Sequence, residues 1–573
     1  MTDSPNPGTA DATAAAAVKP ASPGPVDFRT APSQYRHWRI EVEGHTAHLI
    51  MDVDETAGLF PGYDLKLNSY DLGVDIELAD AIQRLRFEHP NVKVVVLRSG
   101  KDRVFCAGAN IRMLASASHA HKVNFCKFTN ETRNAMEDAS TVSGQKYLCA
   151  IRGTAAGGGY ELALACDRIL LADDGNSTVS LPELPLLAVL PGTGGLTRVT
   201  DKRKVRRDLA DAFCTTEEGV RGTRAVAWRL ADRAAPNSKF DAALAEEIEA
   251  LAAQSDRPDE ATGIKLTPVE RSIEGDTVTY PTLNLAIDRA SKRATLTLNG
   301  PRDEPPGTVD AMVEQAAAFW ALQAARDLDD ALLHLRLNEG DIGVLVFKSQ
   351  GDPARVLAYD AFLDAHKDHW LAREITHYRK RVLRRLDVTS RSLVALVEPG
   401  SCFAGTLAEI VFACDRSFML IGTFEGDNRP PATVQLSASN FGPLTMSNAL
   451  TRLETRFLGE PESVDAARAS IGEPLDAETC EARGFVTTAF DDIDWEDEVR
   501  IFLEERASFS ADGLTGMEAN LRFAGPETME TKIFGRLTAW QNWIFQRPNA
   551  VGEDGALKRY GSGVKAAFDP GRV

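Results

Sequence analysis

The chain has few cysteines, no excess of basic charge and no long apolar run. Its 8 cysteines among 573 residues show no CxxC or CxxH spacing, which argues against a disulfide scaffold and a structural zinc site. Acidic residues outnumber basic ones 83 to 64, for a formal charge of −19, whereas a nucleic-acid-binding face needs a basic surplus. No apolar stretch is long enough to span a bilayer. We therefore expect a cytoplasmic protein that contacts neither nucleic acid nor membrane.

The length of the chain predicts more than one domain, because single cores rarely exceed ~250–300 residues and this chain has 573. Residues 1–30 are rich in Ala, Pro, Ser and Gly and lack apolar periodicity. Such a composition cannot bury enough apolar surface to fold, so we predict a disordered leader rather than a signal peptide.

An internal repeat suggests how the rest of the chain is divided. Residues 149–171 (CAIRGTAAGGGYELALACDRILL) match residues 396–420 (LVEPGSCFAGTLAEIVFACDRSFML), and residues 92–100 match 342–351 at nearly the same offset. Strand and helix patterns alternate before each match, which predicts an α/β arrangement. The predicted units are a catalytic domain at 31–255, a linker at 256–279, a second, degenerate copy at 280–493 and a helical segment at 494–573.

Two Gly-rich loops in the first half could form one anion-binding site. VFCAGANIRML (104–114) follows one predicted strand, and GTAAGGGYE (153–161) follows another. Small residues let the backbone approach a ligand, and a helix that begins there points unpaired N–H groups at an anion. Neither loop has the spacing of a Walker A or dinucleotide motif. Each loop alone is more typical of a tight turn, but together they could supply two N–H donors to one oxyanion.

These motifs, followed by LPELPLLAVLPGTGGLTRV at 181–199, resemble the crotonase (enoyl-CoA hydratase/isomerase) superfamily over about residues 38–237. The resemblance implies an α/β fold of the crotonase ββα-superhelix type, here internally duplicated. It also implies acyl-CoA substrates and a thioester enolate held by two backbone N–H groups. By position, these N–H groups belong to Ala109 and Gly158, and the backbone of Ala107 would contact the adenine of CoA.

Two glutamates match the catalytic carboxylates of the hydratases in this superfamily. Glu161 follows the GGG triplet, and Glu183 lies in a Pro-Glu-Leu turn. Such a pair can hold and activate water by general acid–base catalysis, and burial of like charges pushes their pKa values apart. The alternative is that each is a helix-start or turn carboxylate that stabilises local structure only.

Other candidates lie near the first loop. Cys126 is in a predicted helix that can form a wall of the acyl pocket in this fold, so it is a third candidate catalytic residue. The alternative, and the usual role of a lone cysteine, is core packing. Arg103 and Arg112, together with Lys101, flank the loop and could bind the phosphates of CoA. The basic run 202–207 (KRKVRR) is a further candidate, although a solvated helix face explains it equally well.

The second copy departs from the motif. Gly405-Thr406-Leu407 replaces the GGG triplet, so Thr406 takes the place of Gly158, and no Pro-Glu turn follows Glu409. We therefore expect this half to support structure or dimerisation, although an independent acyl-CoA site remains an alternative.

The whole-chain pattern, including residues 61–85 and 547–563, is similar to the ring-opening lyases of aerobic benzoyl-CoA degradation. This resemblance implies that 2,3-epoxy-2,3-dihydrobenzoyl-CoA and two waters yield 3,4-dehydroadipyl-CoA semialdehyde and formate, without a metal, flavin or nicotinamide cofactor. We also expect a homo-oligomer, most simply a dimer, and a benzoyl-CoA epoxidase as pathway neighbour. The alternatives are an enoyl-CoA hydratase with another acyl-CoA substrate and a non-catalytic acyl-CoA-binding protein.

Overall fold

The computed structural model describes residues 24–573, so most of the predicted leader, residues 1–23, lies outside the described residues. Residues 24–30 are folded, in contrast to the prediction. The Val26 N–H donates to the Asn338 side chain at 2.7 Å, and the Phe28 ring packs 5.1 Å from the Phe128 ring, centroid to centroid. This end of the leader is ordered because its few apolar residues contact both halves of the chain.

The first half consists of a six-stranded sheet and a small three-stranded sheet. The strands are β1 Trp38–Glu43, β2 Thr46–Met51, β3 Val94–Ser99, β4 Val104–Cys106, β5 Lys146–Ile151, β6 Thr154–Ala156, β7 Arg168–Ala172, β8 Thr178–Ser180 and β9 Arg233–Ala235. The helices are α1 Leu72–Phe87, α2 Ile111–Ser116, α3 His119–Val142, α4 Gly158–Ala165, α5 Glu183–Leu187, α6 Gly195–Thr197, α7 Arg207–Cys214, α8 Gly222–Ala227 and α9 Asn237–Ala252.

The large sheet has the order β1-β2-β3-β5-β7-β9, and the small one β4-β6-β8. β1 and β2 form an antiparallel hairpin, and the remaining pairs of the large sheet are parallel. Alternate residues of β3 enter different cores: Val95 and Leu97 pack on the side of α1 and α3, and Val94 and Val96 pack against α9. A strand covered on both faces must be apolar throughout, which is why this segment was recognisable in the sequence.

The second half repeats this pairing order in one eight-stranded sheet, β10 to β17 in sequence. Its strands are β10 Ser272–Glu274, β11 Thr277–Thr279, β12 Leu283–Asp288, β13 Arg293–Asn299, β14 Val344–Gln350, β15 Ser392–Val397, β16 Arg416–Leu420 and β17 Thr488–Phe490. Its helices are α10 Val309–Gln315, α11 Trp320–Asn338, α12 Pro353–Ala365, α13 Trp370–Asp387, α14 Gly405–Ala413, α15 Arg452–Arg456, α16 Pro461–Ala469, α17 Ala477–Ala482 and α18 Trp495–Ser508. An antiparallel hairpin, β12–β13, again precedes parallel strands, as expected for a duplicated α/β unit.

The stretch predicted as a linker, residues 256–279, is packed rather than open. It contains β10 and β11, which extend the second sheet, and the buried Arg257. The Arg257 guanidinium donates to the carbonyl of Pro90 at 2.8 Å and to the carboxylate of Glu374 at 3.2 Å. Because Arg257 bonds both halves, this segment fastens them together instead of separating them.

Buried ion pairs join the helices of the two halves. Arg86 on α1 contacts Glu374 on α13 at 2.8 Å, and Glu131 on α3 contacts Arg336 on α11 at 3.0 Å. Buried charges are tolerated only when they are paired with good geometry. The second half therefore holds α3, the helix that carries Cys126, in a fixed position.

The C-terminal part is helical, as predicted. After α18 come α19 Ala511–Leu521, α20 Met529–Lys532, α21 Thr538–Ile544, α22 Pro548–Val551 and α23 Ala556–Arg559, with a π-helical turn at Ile533–Leu537. Trp543 on α21 stacks on His119 at the start of α3, with ring centroids 5.9 Å apart. No helix within residues 24–573 is long and apolar enough to cross a membrane.

Candidate active site

The two predicted Gly-rich loops meet because β4 and β6 are neighbours in the small sheet. Gly108, in the first loop, has φ +91°. A Cβ at this position would lie 2.8 Å from the Ala156 carbonyl oxygen and 3.0 Å from the Gly158 nitrogen. The positive φ and this close backbone approach both require glycine. The sequence motif thus reflects direct contact between the loops.

Ala109 and Gly158 supply two backbone N–H groups at this junction. The residues beside Ala109 are held by Tyr70, whose N–H donates to Gly108 O at 3.0 Å and whose carbonyl accepts from Asn110 N–H at 2.8 Å. Gly158 begins α4, where N–H groups have no intrahelical acceptor. In the described part of the chain, neither the Ala109 nor the Gly158 N–H donates to another protein group. Both are therefore free to bind an oxyanion.

Glu161 lies in the first turn of α4, and its side chain is fixed at both oxygens. Oε1 accepts from the Gly195 N–H at 2.7 Å, and Oε2 accepts from the Thr193 hydroxyl. Gly195 must be glycine, since a Cβ there would lie 2.7 Å from Glu161 Oε1. Arg198 donates to the Thr193 carbonyl at 3.1 Å and so holds this loop. With donors on both oxygens, the Glu161 side chain is held in one orientation.

Glu183 begins α5 and lies beside the second Gly-rich loop. Its Oε1 would be 2.9 Å from a Cβ on Gly157, and its Oε2 is buried without a hydrogen-bond partner in the described structure. Burial, reinforced by the charge of Glu161, raises the pKa of Glu183 to about 7. The two glutamates therefore differ: Glu161 is anchored, and Glu183 is able to exchange a proton near neutral pH.

Cys126 lies on α3 and is half-buried against the first core. Burial and the charge of Glu161 raise the pKa of its thiol to about 11. A thiol with a raised pKa is protonated at neutral pH and is a poor nucleophile. Cys126 thus lies within electrostatic range of Glu161, as a protonated group.

The predicted CoA-binding residues lie at the exposed rim of the first loop. Arg103 and Arg112 are exposed, and within the described residues neither guanidinium forms an ion pair. The Ala107 N–H donates to Leu67 O at 3.1 Å, and Ala107 itself is exposed. Lys101, by contrast, contacts Asp52 at 3.1 Å. The two arginines are the cations of this rim that are free for an anionic ligand.

The basic run 202–207 is engaged in ion pairs on the protein surface. The pairs are Lys202–Glu137, Arg203–Asp232 and Arg206–Asp208. This arrangement matches the alternative of a solvated, ion-paired face. Across residues 24–573, no group of three or more His, Cys, Asp and Glu side chains is arranged to hold a metal ion.

In the second half, the position equivalent to the oxyanion site is filled by the chain itself. The Asp360 carboxylate accepts from the Thr406 N–H at 2.7 Å and from the Thr406 hydroxyl at 2.6 Å. Glu409, which matches Glu161, is bound by Arg452 at 2.9 Å and by Asn440 at 2.6 Å. These contacts leave Thr406 no free N–H to offer to a thioester.

The second half also lacks a counterpart of Glu183. The Gly157 N–H donates to Ser180 O, and the Gly405 N–H donates to Gln435 O, each at 2.9 Å. These equivalent bonds align Ser180 with Gln435. Glu183 lies three residues after Ser180, and Ala438 lies three residues after Gln435, so Ala438 takes the position of Glu183. The second half therefore has no carboxylate at the position of Glu183.

Several residues that shape the site were not identified from the sequence. Thr193 and Gly195 lie inside the motif at residues 181–199. Their position after the Pro-Glu turn could therefore have identified them from the sequence. Tyr70 and Arg133 carried no such signal, because a single aromatic or basic residue in a helical region has many structural roles. Arg133 donates to the Tyr70 hydroxyl at 3.1 Å, which places both next to the two loops.

Comparison with known proteins identifies the family of the chain. The family model described as Enoyl-CoA hydratase/isomerase matches residues 65–262. The chain is 56% identical over 548 residues to the benzoyl-CoA-dihydrodiol lyase of Aromatoleum evansii, and the match covers 96% of this chain and 98% of that protein. A fatty acid oxidation complex subunit alpha of Shewanella loihica is 31% identical, over 38% of this chain and 29% of that protein.

Among solved structures, an enoyl-CoA hydratase of Bacillus anthracis is 25% identical with a TM-score of 0.33, and the match covers 38% of this chain and 77% of that one. The near-full-length relative is the informative match, because it includes both halves and the helical C-terminal part. The chain belongs to the benzoyl-CoA-dihydrodiol lyase family within the crotonase (enoyl-CoA hydratase/isomerase) superfamily.

Proposed function

We propose that the chain is a ring-opening carbon–carbon lyase. It converts 2,3-epoxy-2,3-dihydrobenzoyl-CoA and two waters into 3,4-dehydroadipyl-CoA semialdehyde and formate. The near-full-length similarity to a benzoyl-CoA-dihydrodiol lyase supports this substrate. The observation that carries the proposal is the junction where two unpaired backbone N–H groups lie beside an anchored Glu161 and a titratable Glu183.

The reaction needs a site that stabilises negative charge on the thioester oxygen. The epoxide first isomerises by breaking its own carbon–carbon bond, which gives a seven-membered cyclic enol ether. One water adds to the ring carbon next to the thioester-bearing carbon, and the resulting hemiacetal opens to a dialdehyde. The second water adds to the aldehyde beside the thioester-bearing carbon to give a hydrate. Removal of a hydrate proton breaks the adjacent carbon–carbon bond and releases formic acid, and the bonding electron pair passes into the thioester as an enolate. The Ala109 and Gly158 N–H groups bind the enolate oxygen. Protonation of the enolate carbon completes the step, which consumes no oxidant or reductant and needs no cofactor.

The environments of the side chains suggest their roles. Glu161, held by Gly195 and Thr193, orients and deprotonates water. Glu183, with its pKa raised to about 7, carries protons between the intermediates. Cys126, a protonated thiol, serves as a polar contact or proton donor. Arg103 and Arg112 bind the CoA phosphates at the exposed rim, and the backbone of Ala107 contacts the adenine.

The proposed function is tested by product analysis with freshly prepared 2,3-epoxybenzoyl-CoA. Mass spectrometry follows the CoA product, and an enzymatic assay measures formate. One formate per opened-ring CoA aldehyde supports the lyase. A hydrated but intact ring would contradict carbon–carbon cleavage. Hydration of crotonyl-CoA alone would instead indicate an ordinary hydratase, and ligand binding without any turnover would indicate an acyl-CoA-binding protein.

Glu183→Gln is expected to change how stability depends on pH. The pKa of Glu183 rises from 4.5 to about 7 on folding, so the folded state holds its proton more tightly. The wild type therefore loses stability as pH rises from about 5 to about 8, and the neutral glutamine does not share this loss. We expect the free energy of unfolding of the variant, relative to wild type, to increase by on the order of 2 kcal/mol over this range.

Urea unfolding at several pH values measures this difference. Glu217→Gln, at an exposed position, is the control for the substitution itself. The two pH values, 5 and 8, lie about 1–2 pH units on either side of the titration midpoint. If the difference in free energy of unfolding between Glu183→Gln and wild type is the same at both, Glu183 is not the titrating group.

We also propose that the protein acts in the cytoplasm as a homodimer, downstream of a benzoyl-CoA epoxidase that supplies the epoxide. Large apolar side chains in the C-terminal part support a subunit contact, since Phe534, Leu537 and Phe545 are all exposed. Large apolar side chains that are exposed on a monomer are typical of protein interfaces.

A further inference from the structure

We propose that Arg133 is a positioning residue that places a buried positive charge behind the oxyanion site. This inference rests on the proposed function, because it concerns the charge that forms on the thioester oxygen. Arg133 lies on α3, and its side chain is 1% exposed. Its Nη2 donates to the Gly158 carbonyl at 3.2 Å and to the Tyr70 hydroxyl at 3.1 Å. Arg133 thus holds one of the two oxyanion-binding residues directly.

Tyr70 positions the second oxyanion-binding residue, Ala109. Its main-chain groups bond Gly108 and Asn110, on either side of Ala109. Its hydroxyl would lie 2.0 Å from a Cβ on Gly158, so the hydroxyl occupies the space that a side chain there would need. Tyr70 is itself buried. Arg133 and Tyr70 together therefore fix the spacing between the two N–H donors.

Arg133 forms one ion pair in the described structure, and that pair is long. Its ion-pair partner in the described structure is Asp75, at 3.7 Å, and the Asp75 carboxylate also accepts from the Thr129 hydroxyl. The Arg133 Nε is buried without a hydrogen-bond partner among the described residues. Because charges interact strongly in a low-dielectric interior, this cation favours an anion on the other side of Gly158.

The second half provides an internal comparison. There Asp360 accepts from the Thr406 N–H at 2.7 Å and from Arg379 at 3.1 Å. Arg379 is buried on α13, which precedes β15 as α3 precedes β5. A buried arginine and an N–H group at the start of a helix therefore hold a carboxylate in the second half. In the first half, the matching anion would come from the substrate.

Arg133→Met, Arg133→Lys and Tyr70→Phe test this inference in the full-length protein. We expect Arg133→Met to lower kcat for formate release roughly 10-fold to 100-fold, with KM within about threefold, since the effect concerns charge in the transition state. Lysine keeps the charge but loses the forked contact, so it should recover part of kcat. Arg379→Met is the matched control, because it removes a buried arginine of the second half. It should lower stability and leave kcat within about twofold.

A spectroscopic measurement separates this role from a purely structural one. Binding of cinnamoyl-CoA to an oxyanion site polarises its conjugated thioester and shifts its absorbance to longer wavelength. We expect a clear shift with wild type and a smaller shift with Arg133→Met and Tyr70→Phe at saturating ligand. Equal shifts and equal kcat in folded Arg133→Met would overturn the inference. If Arg133→Met does not fold, Tyr70→Phe decides by the same criteria.

The same experiment distinguishes failure of this inference from failure of the proposed function. A wild type that releases no formate but shifts the cinnamoyl-CoA spectrum would contradict the lyase, and the variants would still test Arg133. A wild type that releases formate, with variants that match it in kcat and spectrum, would contradict only the role of Arg133.

Discussion

Glu161→Gln is expected to reduce formate release by about 1,000-fold, within the 100-fold to 10,000-fold range of general acid–base catalysis. Two donors, the Gly195 N–H and the Thr193 hydroxyl, contact the two oxygens of Glu161. A glutamine can keep both contacts, because its carbonyl oxygen accepts from the Gly195 N–H and its NH₂ group donates to the Thr193 hydroxyl, which also accepts. The variant therefore keeps the orientation of the side chain but loses the negative charge that removes a proton from water.

Single-turnover formation of formate and of the CoA product measures this effect independently of product release. Retention of more than about one-tenth of the wild-type rate would contradict a role in proton transfer, since such a role contributes at least about 100-fold. Binding of cinnamoyl-CoA should persist, because the backbone N–H groups remain. Loss of binding together with activity would indicate that the substitution has disrupted the loop itself.

Glu409→Gln in the second half is the matched control. Glu409 occupies the equivalent helix position and is paired with the buried Arg452. Its substitution leaves a buried cation with one partner fewer, which is expected to cost about 3 kcal/mol of stability. Formate release by the folded variant should nevertheless stay within about twofold of wild type. A catalytic defect at this position would mean that the second half takes part in the reaction.

The oxyanion site was predictable because it is made of backbone. Gly108 must be glycine because a Cβ there would lie 2.8 Å from the backbone of the other loop, and glycines at fixed places after strands are visible in a sequence. Glu161 and Glu183 were predictable for a similar reason, since each is held at the first turn of a helix next to such a loop. In these cases the chemistry depends on residues that are close together along the chain.

The residues that sequence analysis missed act across long sequence separations. Arg133 meets Tyr70 63 residues away, and Asp360 meets Thr406 46 residues away. Neither contact leaves a pattern along the chain, because each depends on how α3 and α12 pack. Residues 24–30 and 256–279 were misjudged for a related reason. Their polar composition resembles that of flexible segments, but Val26 and Arg257 each make buried contacts that hold the backbone.

Gly108→Ala is expected to lower kcat about 100-fold to 1,000-fold, the effect of losing one oxyanion donor. The new Cβ would lie 2.8 Å from Ala156 O and 3.0 Å from Gly158 N. Both are backbone atoms, so neither can move aside by changing a side-chain rotamer. The two loops must separate, and the distance between the Ala109 and Gly158 N–H groups must increase. KM should change less than kcat, because the loss concerns charge that develops in the transition state.

Gly175→Ala separates this effect from backbone strain. Gly175 has φ +77°, similar to the +91° of Gly108, but a Cβ there would meet nothing within 4 Å. Both alanines must adopt a left-handed conformation, which costs roughly 1–2 kcal/mol. Gly175→Ala should lose only this amount of stability, and Gly108→Ala should lose more because of the backbone clash. Steady-state kinetics and urea unfolding of the two variants provide the comparison. If Gly175→Ala lowers kcat as much as Gly108→Ala does, backbone strain and global destabilisation explain the loss. If only Gly108→Ala lowers kcat, the contact between the two loops holds the oxyanion site in its active geometry.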